Sequence, residues 1–152
     1  GNDAGSGHWR GCHAGERALG IEADGTVKGC PSLPTIPYTG GGVRDRSLRE
    51  LLSTTPLRIL QDRSVKDLWG FCRGCYYAEV CRAGCTWTSH VLFGRPGNNP
   101  YCHYRALQFQ QQGLRERLVR ITDAPGLPFD HGEFMLVVES LSQEESTHAT
   151  HK

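Results

Sequence analysis

Apolar positions recur over short distances along this chain, and the elements they predict are correspondingly small. Ala18-Leu19-Gly20-Ile21 and Val27-Lys28-Gly29-Cys30 lie on either side of Asp24-Gly25, and two β segments around Asp-Gly predict a tight hairpin, because both residues tolerate the positive φ of a type I′ turn. From Pro31 to Gly42 the chain holds Pro31, Pro34, Pro37 and three consecutive glycines, which sustain neither helix nor central strand and predict a loop. Ser47 with Glu50 three residues later is a capping-box pattern for a short helix through Leu51 and Leu52 that ends before Pro56. A second short helical stretch spans Ser64 to Leu68. Asn99-Pro100 offers an N-cap and first-turn pair, and Leu107, Leu114, Leu118 and Ile121 keep a helical rhythm, so Tyr101 to about Ile121 is predicted as the longest helix, with Gly113 its weak point. Beyond it Pro125 and Pro128 break the pattern. Phe134 to Val138 predicts one strand, and Ser140 to Lys152 is polar enough to remain disordered.

Composition narrows the class. With 152 residues, 38% hydrophobic and 19 glycines, the chain has the size of one domain but only a modest core. Seventeen Lys+Arg against 16 Asp+Glu leave +1, too balanced for the field that a nucleic-acid or anionic-membrane binder relies on. Apolar runs such as Phe134 to Val138 fall far short of the roughly 20 residues of a bilayer span. Gly1 to Gly7 resembles no signal peptide, so a cytoplasmic, reducing compartment is expected. The sole methionine is Met135, and the chain is expected to be processed or a piece of something longer.

The candidate chemistry is in the seven cysteines: Cys12, Cys30, Cys72, Cys75, Cys81, Cys85 and Cys102. Cys72-x2-Cys75 lets one turn present two sulfurs to one metal centre, and with Cys81 and Cys85 it forms C-x2-C-x5-C-x3-C within fourteen residues. Such density points to metal-held thiolates. Four cysteines could close a tetrahedral zinc site, making the chain a zinc-stabilised interaction module, but Cys12, Cys30 and Cys102 remain. Two four-iron clusters need eight ligands, which seven cysteines nearly supply.

The whole pattern resembles the SPASM domain, the C-terminal auxiliary-cluster domain of many radical S-adenosylmethionine enzymes. Cys12, twelve residues, Gly25, four residues, Cys30, the quartet and a last Cys102 follow that family's order over roughly residues 8 to 118. The resemblance implies an α+β, loop-rich domain with an N-terminal β-hairpin, short helices and a longer C-terminal helix, organised around two [4Fe–4S] clusters. It implies crosswise ligation, with Cys12, Cys30 and Cys85 on the first cluster and Cys72, Cys75, Cys81 and Cys102 on the second. Residues 1–122 are expected to form this domain and 123–152 a C-terminal extension. The resemblance further implies a radical S-adenosylmethionine barrel as partner, in cis or in trans, and a peptide or protein substrate, with electron transfer and substrate engagement as the module's work. The barrel's own C-x3-C-x2-C is missing, since Cys81-x3-Cys85 is followed at the required position by Thr88, so the chain alone is not expected to cleave S-adenosylmethionine.

Other residues near the cysteines carry blander readings. His8, His13, His90 and His103 could coordinate iron, yet exposed or hydrogen-bonded histidines are commoner, and His13, beside Cys12, is the best placed. Trp69, Phe71, Tyr76, Tyr77 and Trp87 crowd the quartet with only Arg73 and Arg82 among them, which fits packing around clusters and not a nucleic-acid platform. Gly94 to Pro100 reads as a shaped loop delivering Cys102, and Arg44, Arg46 and Arg49 as a solvated face.

Overall fold

The structure, a computed structural model, describes residues 12–141. His8 and most of the polar tail lie outside the described residues. The chain is a mixed α/β fold with two small sheets and several short helices.

The predicted hairpin is present: β1 (Gly20–Ile21) pairs antiparallel with β2 (Thr26–Lys28). Its turn differs from the expected two-residue form. Glu22 N–H donates to Thr26 O at 2.8 Å, leaving a three-residue loop in which Gly25 takes φ +89°, and Asp24 Oδ1 accepts the Thr26 N–H at 2.9 Å. The Gly-rich stretch read as a loop is also partly ordered. After α1 (Thr35–Tyr38), a single turn kinked at Ile36 and Pro37, β3 (Thr39–Gly42) joins β2 as an edge strand. The glycines there serve close approach, because a Cβ on Gly40 would sit 2.7 Å from Leu57 Cδ1.

The Ser47 capping box starts α2 (Leu48–Leu52) as predicted: Ser47 N–H donates to Glu50 Oε2 at 2.8 Å, and Glu50 N–H donates back to Ser47 Oγ at 3.4 Å. Pro56, expected as a stop, instead sits in the first turn of α3 (Thr55–Asp62), where a helix makes no use of the missing N–H. The stretch expected to be helical from Ser64 forms a 3-10 turn at Val65–Asp67, and another occupies Gly70–Gly74. Two helices frame the quartet's second half, α4 (Ala78–Cys81) and α5 (Thr86–Phe93).

The predicted long helix from Tyr101 to Ile121 is two elements. Asn99 accepts the Tyr101 N–H at 2.9 Å in a local turn, so α6 (His103–Gln111) begins later than the expected cap, with Cys102 at its N-terminus. Gly113, at φ +69°, closes it, and the chain continues as β4 (Leu114–Thr122), paired antiparallel with β5 (Glu133–Ser140). Leu118 faces Leu136 and Val119 faces Met135 in this register. The leucine spacing fitted a helix, but β-branched Val119, Ile121 and Thr122 and a partner strand of matching length decide for the ladder. The expected strand at Phe134 to Val138 is the centre of β5.

The core is divided. Val27, Leu51 and Leu57 form one buried cluster under the three-stranded sheet, and Leu68, Cys72, Ala78 and Ala83 form another, against which Val65 and Cys75 pack. The second cluster thus includes the side chain of Cys72, with that of Cys75 packed against it.

Candidate metal centre

Cys72, Cys75, Cys81, Cys85 and Cys102 line one cleft of about 1250 Å³, with Phe71, Tyr76, Tyr77, Tyr101 and Tyr104 among its other walls. Each sulfur arrives by a different local device. Cys72 is carried by the 3-10 turn Gly70–Gly74 and Cys75 follows it directly. The turn lies close under Asn98, because a Cβ on Gly70 would approach Asn98 Nδ2 to 2.7 Å. Cys81 ends α4, and Cys85 and Cys102 occupy the N-terminal caps of α5 and α6.

Between Cys81 and Cys85 the backbone does something a helix would not. Arg82, Ala83 and Gly84 take φ of +49°, +61° and +61° in succession. Left-handed backbone costs a non-glycine residue about 1–2 kcal/mol, so two such residues mark a conformation held by its surroundings. Cys81 and Cys85, four apart in sequence, therefore do not share a helix face. In the same reversal Gly84 N–H donates to Cys81 O at 2.9 Å, and the N–H groups of Gly84 and Ala83 favour the Cys81 thiolate. Tyr77 N–H donates to Cys75 Sγ at 3.4 Å, and the Asn99 backbone N–H favours the Cys72 thiolate.

Burial pushes the thiols of Cys72 and Cys81 above the ordinary range. Neighbouring sulfurs add to this: Cys81 and Cys102 act on Cys72, and Cys102 and Cys75 act on Cys81. Backbone N–H groups, and for Cys72 also Arg105, oppose the rise. Four sulfurs thus form one electrostatic neighbourhood.

Cys12 and Cys30 do not line this cleft; their segments meet at α3. A Cβ on Gly29 would lie 2.9 Å from Leu57 O and 3.4 Å from Gly15 Cα, so the segments carrying the two cysteines pass each other against one carbonyl of α3. The side-chain amide of Gln61 donates to Ala14 O at 2.6 Å and ties the Cys12 turn to the same helix. Cys12 and Cys81 share a small cavity of about 180 Å³ with His13, Glu16, Arg63 and Arg82.

Two arginines that the sequence did not mark are buried at this centre. Arg105, 2% exposed, donates to Asn98 Oδ1 at 2.6 Å and Asn99 O at 3.2 Å, pairs with Glu116 at 2.6 Å, and lies over the Phe71 ring. It clamps the 98–99 loop to α6 and β4, and so fixes the segment between Cys72 and Cys102. Arg63, 5% exposed, donates to Thr86 Oγ1 at 2.9 Å and Gly84 O at 3.0 Å, on either side of Cys85. Burial pushes its pKa down, and the sulfurs of Cys12, Cys81 and Cys85 pull the other way.

The histidines divide. His90 is hydrogen-bonded to Tyr38 Oη at 3.0 Å and packs edge-on against His131, and burial holds its pKa below the usual imidazole value. His103 is exposed at the start of α6. His13 pairs with Glu16 at 3.0 Å on the rim of the small cavity beside Cys12. Of the aromatics, Phe71, Tyr77 and Tyr104 form a continuous wall of ring contacts, whereas Trp69 packs against Phe93 and Arg95 at the Gly94–Pro100 loop.

Among the described residues, no three His, Cys, Asp or Glu side chains gather closely enough to hold a single metal ion. The donor set fits a larger body: cysteine sulfurs spread around a wide cleft, met by backbone N–H groups, with buried cations behind them.

Residues 12–76 match the family model of the SPASM iron–sulfur cluster-binding domain, somewhat less than half of the chain. The chain carries a SPASM domain over that segment, which includes Cys12, Cys30, Cys72 and Cys75 and ends before Cys81. The resemblance drawn from the cysteine spacing is thereby found. The comparisons find no match among curated proteins or solved structures. Among the described residues no helix is long and apolar enough to cross a membrane.

Proposed function

We propose that this chain is the auxiliary-cluster module of a radical S-adenosylmethionine maturase, holding two [4Fe–4S] clusters in the cytoplasm. Cys72, Cys75, Cys81 and Cys102 hold one, and Cys12, Cys30 and Cys85 hold the other. The clusters supply one-electron chemistry when bound, exchanging electrons with little rearrangement of their ligands. The chain's own residues hold the sulfurs apart, direct N–H groups toward them and wall the cleft with aromatic rings. The catalytic barrel is supplied by a partner domain, in cis or in trans, and the substrate is a peptide or protein.

One observation carries the reading: the left-handed run Arg82–Gly84 turns Cys85 away from the helix that ends in Cys81. Cys81 interacts electrostatically with Cys72, Cys75 and Cys102, while Arg63, bonded on both sides of Cys85, feels both Cys12 and Cys81. A zinc module would need its donors drawn to about 2.3 Å from one point, and five sulfurs around a 1250 Å³ cleft favour a multi-iron body.

The test is anaerobic reconstitution of the full chain with iron and sulfide, followed by single Cys→Ala variants. Cys85→Ala is expected to remove the same spectral component as Cys12→Ala and Cys30→Ala, and Cys81→Ala the component shared with Cys72, Cys75 and Cys102. Pairing of Cys81 with Cys85 would overturn the crosswise ligation, and a colourless chain holding zinc would overturn the function.

A further inference from the structure

Among the described residues Arg63 is a buried cation without a buried anion to answer it: its guanidinium donates there only to neutral oxygens, Thr86 Oγ1 and Gly84 O, and its Nε has no partner. Among the described residues no carboxylate forms an ion pair with it. Asp67, which senses its charge, lies exposed and is engaged by the Ser64 backbone N–H at 2.7 Å and hydroxyl at 3.0 Å. A charge taken out of water costs several kcal/mol unless an opposite charge answers it. Thiols do not supply one. Cys12 and Cys81 line the same small cavity as Arg63, together with Glu16, which is half exposed and paired with His13, and Arg82, whose guanidinium donates to Gln61 O and Glu79 O; Cys85 lies between the two hydrogen-bond acceptors of Arg63.

Resting on the cluster reading above, we propose that Arg63 is the fixed counter-charge shared by both cysteine groups, positioned by Thr86 and Gly84 to favour the reduced, more negative state of the clusters they hold. The placement suits the role. Cys81 belongs to one ligand set and Cys12 and Cys85 to the other, so the buried guanidinium at their junction acts on both without touching iron. Its planar fork accounts for the two directed bonds, and an ammonium could keep the charge but not both contacts. Because added positive charge stabilises the reduced form, its removal lowers the reduction potential.

The experiment is a potentiometric titration of the reconstituted full chain, followed by electron paramagnetic resonance, for wild type, Arg63→Gln, Arg63→Lys and Thr86→Val. Arg63→Gln is expected to lower the reduced-to-oxidised ratio at fixed potential about tenfold, equivalent to about 59 mV for one electron. Arg63→Lys is expected to recover most of that ratio, because it restores the charge. An unchanged ratio in Arg63→Gln at full iron content would overturn the role of Arg63 while leaving the clusters in place. If Arg63→Gln fails to load, Thr86→Val decides, since it keeps the charge and loosens its aim: a smaller fall supports the proposal and no change overturns it. A wild-type chain that takes up no iron and sulfide would overturn the cluster reading itself.

Discussion

Arg105 concentrates more of the local architecture than any cysteine does. It joins the 98–99 loop, α6 and β4 through Asn98, Asn99 and Glu116, and its partner Glu116 is itself nearly buried. Removing one member of a buried pair leaves the other charge unanswered, at a cost of about 3–5 kcal/mol. Arg105→Ala is therefore expected to lower the unfolding free energy by that amount in denaturant titration and to speed loss of iron from the cluster assigned to Cys72 and Cys102. Neither Arg105 nor Arg63 stands out in the sequence. Burial is decided by what packs over a side chain from distant segments, and no local pattern records it.

At the scale of elements, the loops are as constrained as the helices. Gly97, at φ +101°, lets the Gly94–Pro100 loop pass against the turn at Val65–Asp67, and a Cβ there would lie 2.6 Å from Asp67 O. Trp69 Nε1–H donates to Pro96 O at 2.8 Å across the same junction. Gly97→Ala combines strained backbone with a collision against backbone, and it is expected to destabilise the chain by about 1–3 kcal/mol, read as a lower thermal midpoint. The division of the predicted long helix belongs to this scale too. Leu114 and Leu118 satisfy a helical spacing and a strand spacing alike, so Gly113 and the distant β5 settle the outcome.

For the molecule as a whole, the two buried clusters are small, and one of them is partly made of sulfur-bearing side chains. A chain with so little apolar material has little to set against its conformational entropy, so metal binding free energy becomes folding free energy. Removing iron by chelation under reducing conditions is expected to abolish the cooperative thermal transition. A chelated chain that unfolds cooperatively at the same midpoint would show that the two small cores suffice.

Local chemistry determined what was legible in the sequence: the Asp24-Gly25 hairpin, the Ser47–Glu50 cap and the cysteine spacing each depend on residues near one another in the chain, and the last was enough to draw the SPASM resemblance. The tertiary structure alone decided what depends on distant partners. It turned the stretch after Gly113 into a strand, drew Thr39–Gly42 onto a sheet edge through close contact with α3, and brought the segments of Cys12 and Cys30 together against Leu57. It also reversed the chain between Cys81 and Cys85 and buried Arg63 and Arg105 beside the sulfurs. Spacing along a chain counts residues, whereas the direction of a sulfur and the desolvation of a charge are set by the backbone dihedrals and neighbours that folding supplies.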